Sequence, residues 1–358
     1  MSTTAMTYRN LGRTGIEVSR YALGTMMFGS VGNPDHDECA RIVHAALDAG
    51  INLVDTADMY STGESEVIVG KALRGRRDDV VLATKGHFAL EEGTNRSGNS
   101  RRYLARAVEA SLRRLQTDRI DLYQVHRPDW STDLEETLGT LTDLVHAGKI
   151  VAFGCSTYPA HEIVHADQVA ERRGLMRFHT EQPPYNLLAR GIERDVLPVA
   201  ERLGMGILTW SPLAFGFLTG RYRRDAVAPT EGRAALRPAW FDPSDPTTRR
   251  KLDVVEQLMT IADDLGCSLP SLAVAFPLAH RAVTSVILGP RTMEQLTSLL
   301  DSPVTLEDAV LDRIDEIVPP GTDVYGPNAS LDVPWVRDAR LRRAPSTSSP
   351  APVPAASA

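Results

Sequence analysis

Four residues with proton-moving side chains follow or close three apolar runs. Asp55 and Tyr60 lie in Gly50-Ile-Asn-Leu-Val-Asp55-Thr-Ala-Asp-Met-Tyr60, Lys85 ends Val80-Val-Leu-Ala-Thr-Lys85, and His126 ends Ile120-Asp-Leu-Tyr-Gln-Val-His126. A carboxylate, a phenol, an ammonium and an imidazole brought together can hand a proton to a carbonyl oxygen. Each also has a plain structural reading: Asp55 as a cap, Tyr60 as loop packing, Lys85 as a strand-end charge reaching solvent, His126 as a lone histidine before Arg127-Pro128. What favours chemistry is their joint position at the mouths of buried strands.

The elements that must carry them repeat. Tyr21–Thr25, Ile51–Val54, Val80–Thr84, Ile120–Val125, Ile150–Cys155, Arg177–Glu181, Gly206–Trp210 and Ser285–Leu288 read as strands buried on both faces, without polar alternation. Helical segments fill the gaps. Glu38–Ala49 places Cys39, Ile42, Val43, Ala46 and Leu47 on one face before Gly50, and Asp133–Ala147 opens with a capping box, Thr132 to Glu135, and closes at Gly148. The period is that of a βαβ unit, roughly 30 residues. Eight such units imply a closed (β/α)8 TIM barrel over 7–318. Gly24-Thr-Met-Met-Phe-Gly29 lacks the glycine spacing of a Rossmann site. Thr7–Asn10 and Ile16–Ser19 form an expected hairpin plug for the barrel bottom. A loop at about 223–250, after the seventh strand, is a candidate lid. Residues 319–342 form a C-terminal extension, and the Pro/Ser/Ala-rich 343–358 reads as a disordered tail.

The 358 residues carry 39 basic and 46 acidic side chains, a net charge of −7 that gives no case for nucleic acid or an anionic membrane. The cluster Arg221, Arg223 and Arg224 is nonetheless suited to a phosphorylated small molecule. Three separated cysteines without a CxxC pair argue against disulfides and structural zinc, and no metal site is expected. With no membrane-length apolar run and no signal-like start, the expected location is cytoplasmic. The oligomeric state is not legible.

The linked motifs resemble the aldo-keto reductase superfamily from about Tyr8 to Val318. They are Asn10-Leu-Gly-Arg-Thr-Gly15, the four residues above, Gly154-Cys-Ser156, Glu181-Gln-Pro-Pro-Tyr-Asn186, Trp210-Ser-Pro-Leu-Ala214, Leu218-Thr-Gly-Arg-Tyr222 and Gly289-Pro-Arg291 with Gln295. The resemblance implies an NADPH-dependent reductase of aldehydes or ketones, with a small-molecule carbonyl substrate. Tyr60 would be the general acid. A phenol titrates near ~10, and Lys85 would lower that value. Asp55 would hold Lys85, and His126 would orient the carbonyl or relay the proton. Trp210 would stack on nicotinamide, with Ser156 and Gln182 on its carboxamide and Gly24, Thr25, Met26 and Asp55 beside the cofactor. Ser211, Leu213, Gly216 and Arg221 would cover the pyrophosphate. Gly289, Arg291 and Gln295 would lie near the 2′-phosphate. Phe28, Phe88, Tyr60 and His126 are expected to touch substrate. Two positions depart from the family: its Ser-Asn pair is Ser156-Thr157 here, and its adenine-holding Glu-Asn pair is Ser298-Leu299.

Three other functions fit the same residues. Cytoplasmic β-subunits of voltage-gated potassium channels share the barrel and the Thr209-Trp-Ser-Pro-Leu-Ala214 motif and use bound nicotinamide as a sensor, but commonly lack the histidine. Reductases of nucleotide-linked deoxy-sugar ketones share loop-level features. A Schiff-base aldolase would use Lys85 as its nucleophile.

Overall fold

The computed structural model describes residues 6–224, 237–300 and 304–324. Strands β1 (Tyr8–Asn10) and β2 (Glu17–Ser19) pair antiparallel. Eight parallel strands then close a barrel in cyclic sequence order: β3 (Tyr21–Gly24), β4 (Leu53–Asp55), β5 (Val81–Gly86), β6 (Ile120–Val125), β7 (Ile150–Ser156), β8 (Thr180–Gln182), β9 (Gly206–Thr209) and β10 (Val283–Leu288), with β10 against β3. Around them run α1 (His36–Asp48), α2 (Glu64–Ala72), α3 (Arg101–Leu115), α4 (Leu134–His146), α5 (Ala160–Arg173), α6 (Val196–Leu203), α7 (Pro246–Asp264), α8 (Leu269–Ala279), α9 (Met293–Leu300) and α10 (Asp308–Ile317). This is the expected (β/α)8 architecture with its N-terminal hairpin.

Strand alternation sorts side chains between two cores. Ala22, Leu53, Ala83, Leu122, Ala152, Leu208 and Ile287 fill the barrel, and Leu11 and Val18 of the hairpin close it from below. The hairpin approaches so closely that a Cβ on Gly12, whose φ is +58°, would meet His179 O at 2.7 Å. Only glycine combines that conformation with that approach. The outward-facing residues form the larger core with the helices.

Local physics moves several boundaries. The α1 helix starts at His36 because the Asp35 carboxylate accepts from the Asp37 and Glu38 amides, each at 2.9 Å. Its expected apolar face is buried. The capping box of α4 does not form: the N-cap is Asp133, while the Thr132 hydroxyl donates to Asp129 at 2.7 Å. The strand expected at Arg177–Glu181 is confined to Thr180–Gln182, the stretch that meets β7 and β9. Asp55 and Lys85 are not beyond their strands but within them. Lys85 is paired in register with Gln124.

The expected lid divides. Residues 225–236 lie outside the described residues, but its flanks are not free loop. Arg223 is paired with Glu256 (2.7 Å from Nε to Oε1) and Arg224 with Asp253, both on α7. Residues 246–250 are already the first turn of α7, capped by Asp245 on the Thr248 amide at 2.9 Å. These ion pairs also remove Arg223 and Arg224 from the expected phosphate-gripping cluster. Of the C-terminal extension, 319–324 is described: Val324 donates to Leu188 O at 2.9 Å, and Arg190 donates through its amide to Thr322 O at 3.0 Å. The rest of it and the tail lie outside the described residues. Among the described residues no single helix is long and apolar enough to cross a membrane.

Candidate active site

The upper rim of the barrel interior is polar where the layer below is apolar. On β4, Asp55 Oδ2 receives the Lys85 ammonium at 2.6 Å, and Lys85 also donates to Thr56 O at 2.7 Å. The other Asp55 oxygen accepts from Gln182 at 2.9 Å and from Gln124 at 3.4 Å. Lys85 is wholly buried and Asp55 nearly so. The cap and solvent-exposed readings of these two residues are thereby excluded. Each charge offsets the desolvation of the other, and Thr56, Gln182 and Gln124 supply the remaining hydrogen bonds.

The chain leaves β4 through Thr56–Met59 and brings Tyr60 back over this pair. Its hydroxyl stands 3.5 Å from Lys85 Nζ. The following turn is tight: Ser61 and Thr62 have φ of +47° and +55°, and the Ser61 hydroxyl fastens it to Phe28 O at 2.9 Å. His126 stands edge-on to Tyr60, with ring centroids 6.0 Å apart, and to Phe88 at 5.1 Å. Its Nδ1 is buried without a hydrogen-bond partner among the described residues.

The electrostatics alter one expectation. Burial raises the Tyr60 pKa above the ordinary phenol value, and Asp55 adds to this; Lys85 and Arg127 oppose the rise without reversing it. Lys85 therefore limits the rise and does not produce an acidic phenol. Burial pulls the Lys85 pKa down, but Asp55 and Tyr60 outweigh it and leave the ammonium above its usual value. Burial, reinforced by Lys85 and Arg127, holds His126 well below an ordinary histidine. At neutral pH the cluster thus holds a protonated phenol, an ammonium and a neutral imidazole.

The residues expected around a dinucleotide fall on the same face. Trp210 donates through its indole to Gln182 O at 3.2 Å, and the Ser156 hydroxyl donates to the same carbonyl at 2.8 Å. Thr157, where the family carries asparagine, has φ of +60°. After β9 the loop is strained: Ser211, Ala214 and Phe215 all have positive φ, followed by Gly216 at +107°. Non-glycine residues held this way cluster at ligand-clamping segments. Asn186 holds Ser211 O at 2.9 Å, and the Ser211 hydroxyl accepts from the Phe215 amide at 3.0 Å. Leu213, between them, is half-buried. Arg221 and Arg291 are exposed, and among the described residues neither lies within 4 Å of a carboxylate. Gln295 accepts from the Arg291 amide at 2.8 Å, and Gly289 has open space above it.

Other expected residues serve the scaffold. Phe28 has no accessible surface and belongs to the core between sheet and helices, which removes it from the substrate wall. Thr25 is fully buried, its hydroxyl engaged by Ser65 at 2.9 Å. A Cβ on Gly24 would meet Ile287 at 2.5 Å, so strand packing accounts for that glycine. Met26 is exposed at the mouth. Sequence reasoning missed Gln124, Asn186 and Arg127. Gln124 had a signal: it is polar within an apolar run and two residues before His126, hence on the same face.

A closed parallel barrel with a buried acid–amine pair, a phenol and an imidazole at its C-terminal mouth has its polar cluster where (β/α)8 enzymes carry their active sites. The chain belongs to the aldo/keto reductase family, whose family model matches residues 20–319. It is 36% identical over 331 residues to a protein of Oryza sativa subsp. japonica named "Probable voltage-gated potassium channel subunit beta", covering 89% of this chain and 100% of the relative. A protein of the same name from Arabidopsis thaliana is 36% identical over 321 residues, covering 87% and 97%. The "Uncharacterized oxidoreductase YrpG" of Bacillus subtilis (strain 168) is 38% identical over 328 residues, covering 88% and 96%.

Proposed function

We propose that the protein is an NADPH-dependent carbonyl reductase in which Tyr60 protonates the carbonyl oxygen. The observation that carries this reading is the Tyr60 hydroxyl at 3.5 Å from Lys85 Nζ, beside an imidazole held neutral. The bound dinucleotide would supply the hydride to the carbonyl carbon. Tyr60 would supply the proton to the oxygen, so that carbonyl and reduced cofactor leave as alcohol and oxidised cofactor. A phenol pushed upward is protonated throughout the neutral range, which suits it to donate. Neutral His126 would donate to the same oxygen and orient it, and Lys85 would stabilise charge as it develops on the Tyr60 oxygen.

The fit of a dinucleotide rests on this chain's own groups. The groups that would hold it are the strained Ser211–Gly216 loop, the Trp210 ring, and Arg221 and Arg291, which have no carboxylate within 4 Å among the described residues. The two arginines, whose guanidinium geometry matches phosphate, favour NADPH over NADH. Met59, Trp130 and Trp240 are exposed large apolar residues. With Phe88 they suit a substrate with an apolar body.

The Schiff-base aldolase is disfavoured by the same electrostatics, because an ammonium held above its normal pKa by a carboxylate is a poor nucleophile. The names of the rice and Arabidopsis relatives favour a second reading, a regulatory subunit of a potassium channel. A carbonyl screen with NADPH and with NADH, followed at the nicotinamide absorbance, separates the two. The Tyr60→Phe variant should lose roughly 10²–10⁴-fold in turnover while binding NADPH nearly as wild type does. Wild-type turnover in that variant would sink the mechanism, and binding without turnover of any carbonyl would favour the regulatory subunit.

A further inference from the structure

A second cation stands at the mouth, and unlike Lys85 it has no carboxylate within 4 Å among the described residues. Arg127 Nη1 donates to His126 O at 2.7 Å and to the Thr157 hydroxyl at 3.0 Å, and its guanidinium carbon lies 5.9 Å from the Phe88 ring centroid. These contacts draw the side chain in among the ends of β5, β6 and β7, where it is only partly exposed. Its Nε and Nη2 make no hydrogen bond, and no carboxylate approaches within 4 Å, among the described residues.

The other arginines drawn into the fold are satisfied differently. Arg114 meets Glu66, Arg190 meets Glu193 and Asp315, and Arg77 meets Asp121. Arg20 donates to the carbonyls of Val283 and Leu278. Arg127 alone of these five spends one nitrogen on neutral oxygens and leaves the rest of its fork uncommitted. The carboxylate that acts on it electrostatically is Glu181, which is itself buried and raised to about 7. Burial correspondingly lowers the Arg127 pKa. A desolvated cation without a partner is costly, and a ligand anion would relieve that cost.

Resting on the reductase reading, we infer that Arg127 is a substrate-binding residue that selects carbonyl compounds bearing a carboxylate. Phe88 touches both groups, its ring centroid 5.9 Å from the guanidinium carbon and 5.1 Å from the His126 ring, so the anion and the reacting carbonyl would sit near one another. The free Nε and Nη2 edge offers the fork that binds a carboxylate through both oxygens. Thr157 fixes the other edge, which gives the departure from asparagine at that position a use: its hydroxyl oxygen accepts from the guanidinium.

The test compares 3-formylbenzoate with its uncharged methyl ester as substrates for the full-length protein with NADPH. Wild type should favour the acid. The ratio of kcat/KM for acid over ester should fall by about tenfold or more in Arg127→Met and recover in part in Arg127→Lys, which restores charge without the planar fork. Equal losses on both substrates would make Arg127 a positioning residue for His126 and overturn the inference, as would an unchanged ratio. Should wild type reduce neither aldehyde, the reductase reading fails on its own, and calorimetric binding of isophthalate decides the anion site. Binding weakened by about tenfold in Arg127→Met supports the site, and no binding by wild type, or equal binding by both, overturns it.

Discussion

The two faces of strands β4 to β8 bury charge in opposite ways. Inside the barrel, Asp55 and Lys85 compensate one another at 2.6 Å and Gln124 and Gln182 complete the carboxylate. Outside it, Asp58 and Glu181 are equally buried but lack such a partner. Asp58 has the Tyr103 hydroxyl at 3.3 Å on one oxygen and no hydrogen-bond partner in good geometry on the other among the described residues, and Glu66 beside it is committed to Arg114 and Thr84. Glu181 accepts the Tyr158 amide at 3.2 Å and has one oxygen unpartnered among the described residues. Burial, with Glu66 adding to it, raises Asp58 to about 7, and burial raises Glu181 to about 7. The lesson is that burial alone does not fix a charge state. A close counter-ion matters as much, and the barrel interior has one where the outer side has none within 4 Å of Asp58 or Glu181 among the described residues.

Breaking the inner pair tests that contrast most severely. Lys85→Met leaves Asp55 buried and uncompensated, which should cost about 3–5 kcal/mol of stability in denaturant unfolding, together with activity. Combining it with Asp55→Leu should recover most of the stability and none of the activity. A double variant as unstable as the single one would show that packing, not charge compensation, is what the pair provides.

The outer face should respond to pH instead. The Asp58 pKa rises from 3.8 to about 7 on folding, so its stabilising protonation is complete below pH 3.8 and is lost as pH climbs through about 7. Asp58→Asn removes that loss. The variant should gain on wild type progressively across this window and hold the advantage at pH 8, by an amount on the order of a few kcal/mol. A difference in melting temperature that is the same at pH 5 and pH 8 would mean Asp58 does not titrate as a buried, uncompensated acid.

The smallest effect is expected at the seam between the faces. Thr157 is β-branched and left-handed, a conformation asparagine tolerates better. Thr157→Asn should stabilise the fold by about 1 kcal/mol, provided the Arg127 contact is not what holds the loop. Destabilisation instead would assign the Thr157–Arg127 hydrogen bond more weight than the backbone strain.

Much of this was legible in the chain. Eight apolar runs separated by helical periods specify a closed parallel barrel because strands buried on both faces have nowhere else to go. That Asp55, Tyr60, Lys85 and His126 come together was legible from their places at strand mouths. Phe28 misled because an aromatic at a strand end reads the same whether it faces ligand or helix. The Thr132 capping box misled because Asp129, three residues earlier, competes for the hydroxyl. Gln124 and Arg127 were passed over because their partners, Asp55 and Thr157, are distant in sequence.

The sequence by itself determined the barrel, its hairpin plug and which ionisable side chains stand at the strand mouths, since periodicity and residue type are local properties. The tertiary structure alone decided their charge states. It showed that Tyr60 stays a protonated phenol against Lys85, that His126 stays neutral, and that Lys85 is paired with a carboxylate while Arg127 has none within 4 Å among the described residues. Desolvation and Coulomb interaction depend on distances between strands, and no stretch of one strand encodes them.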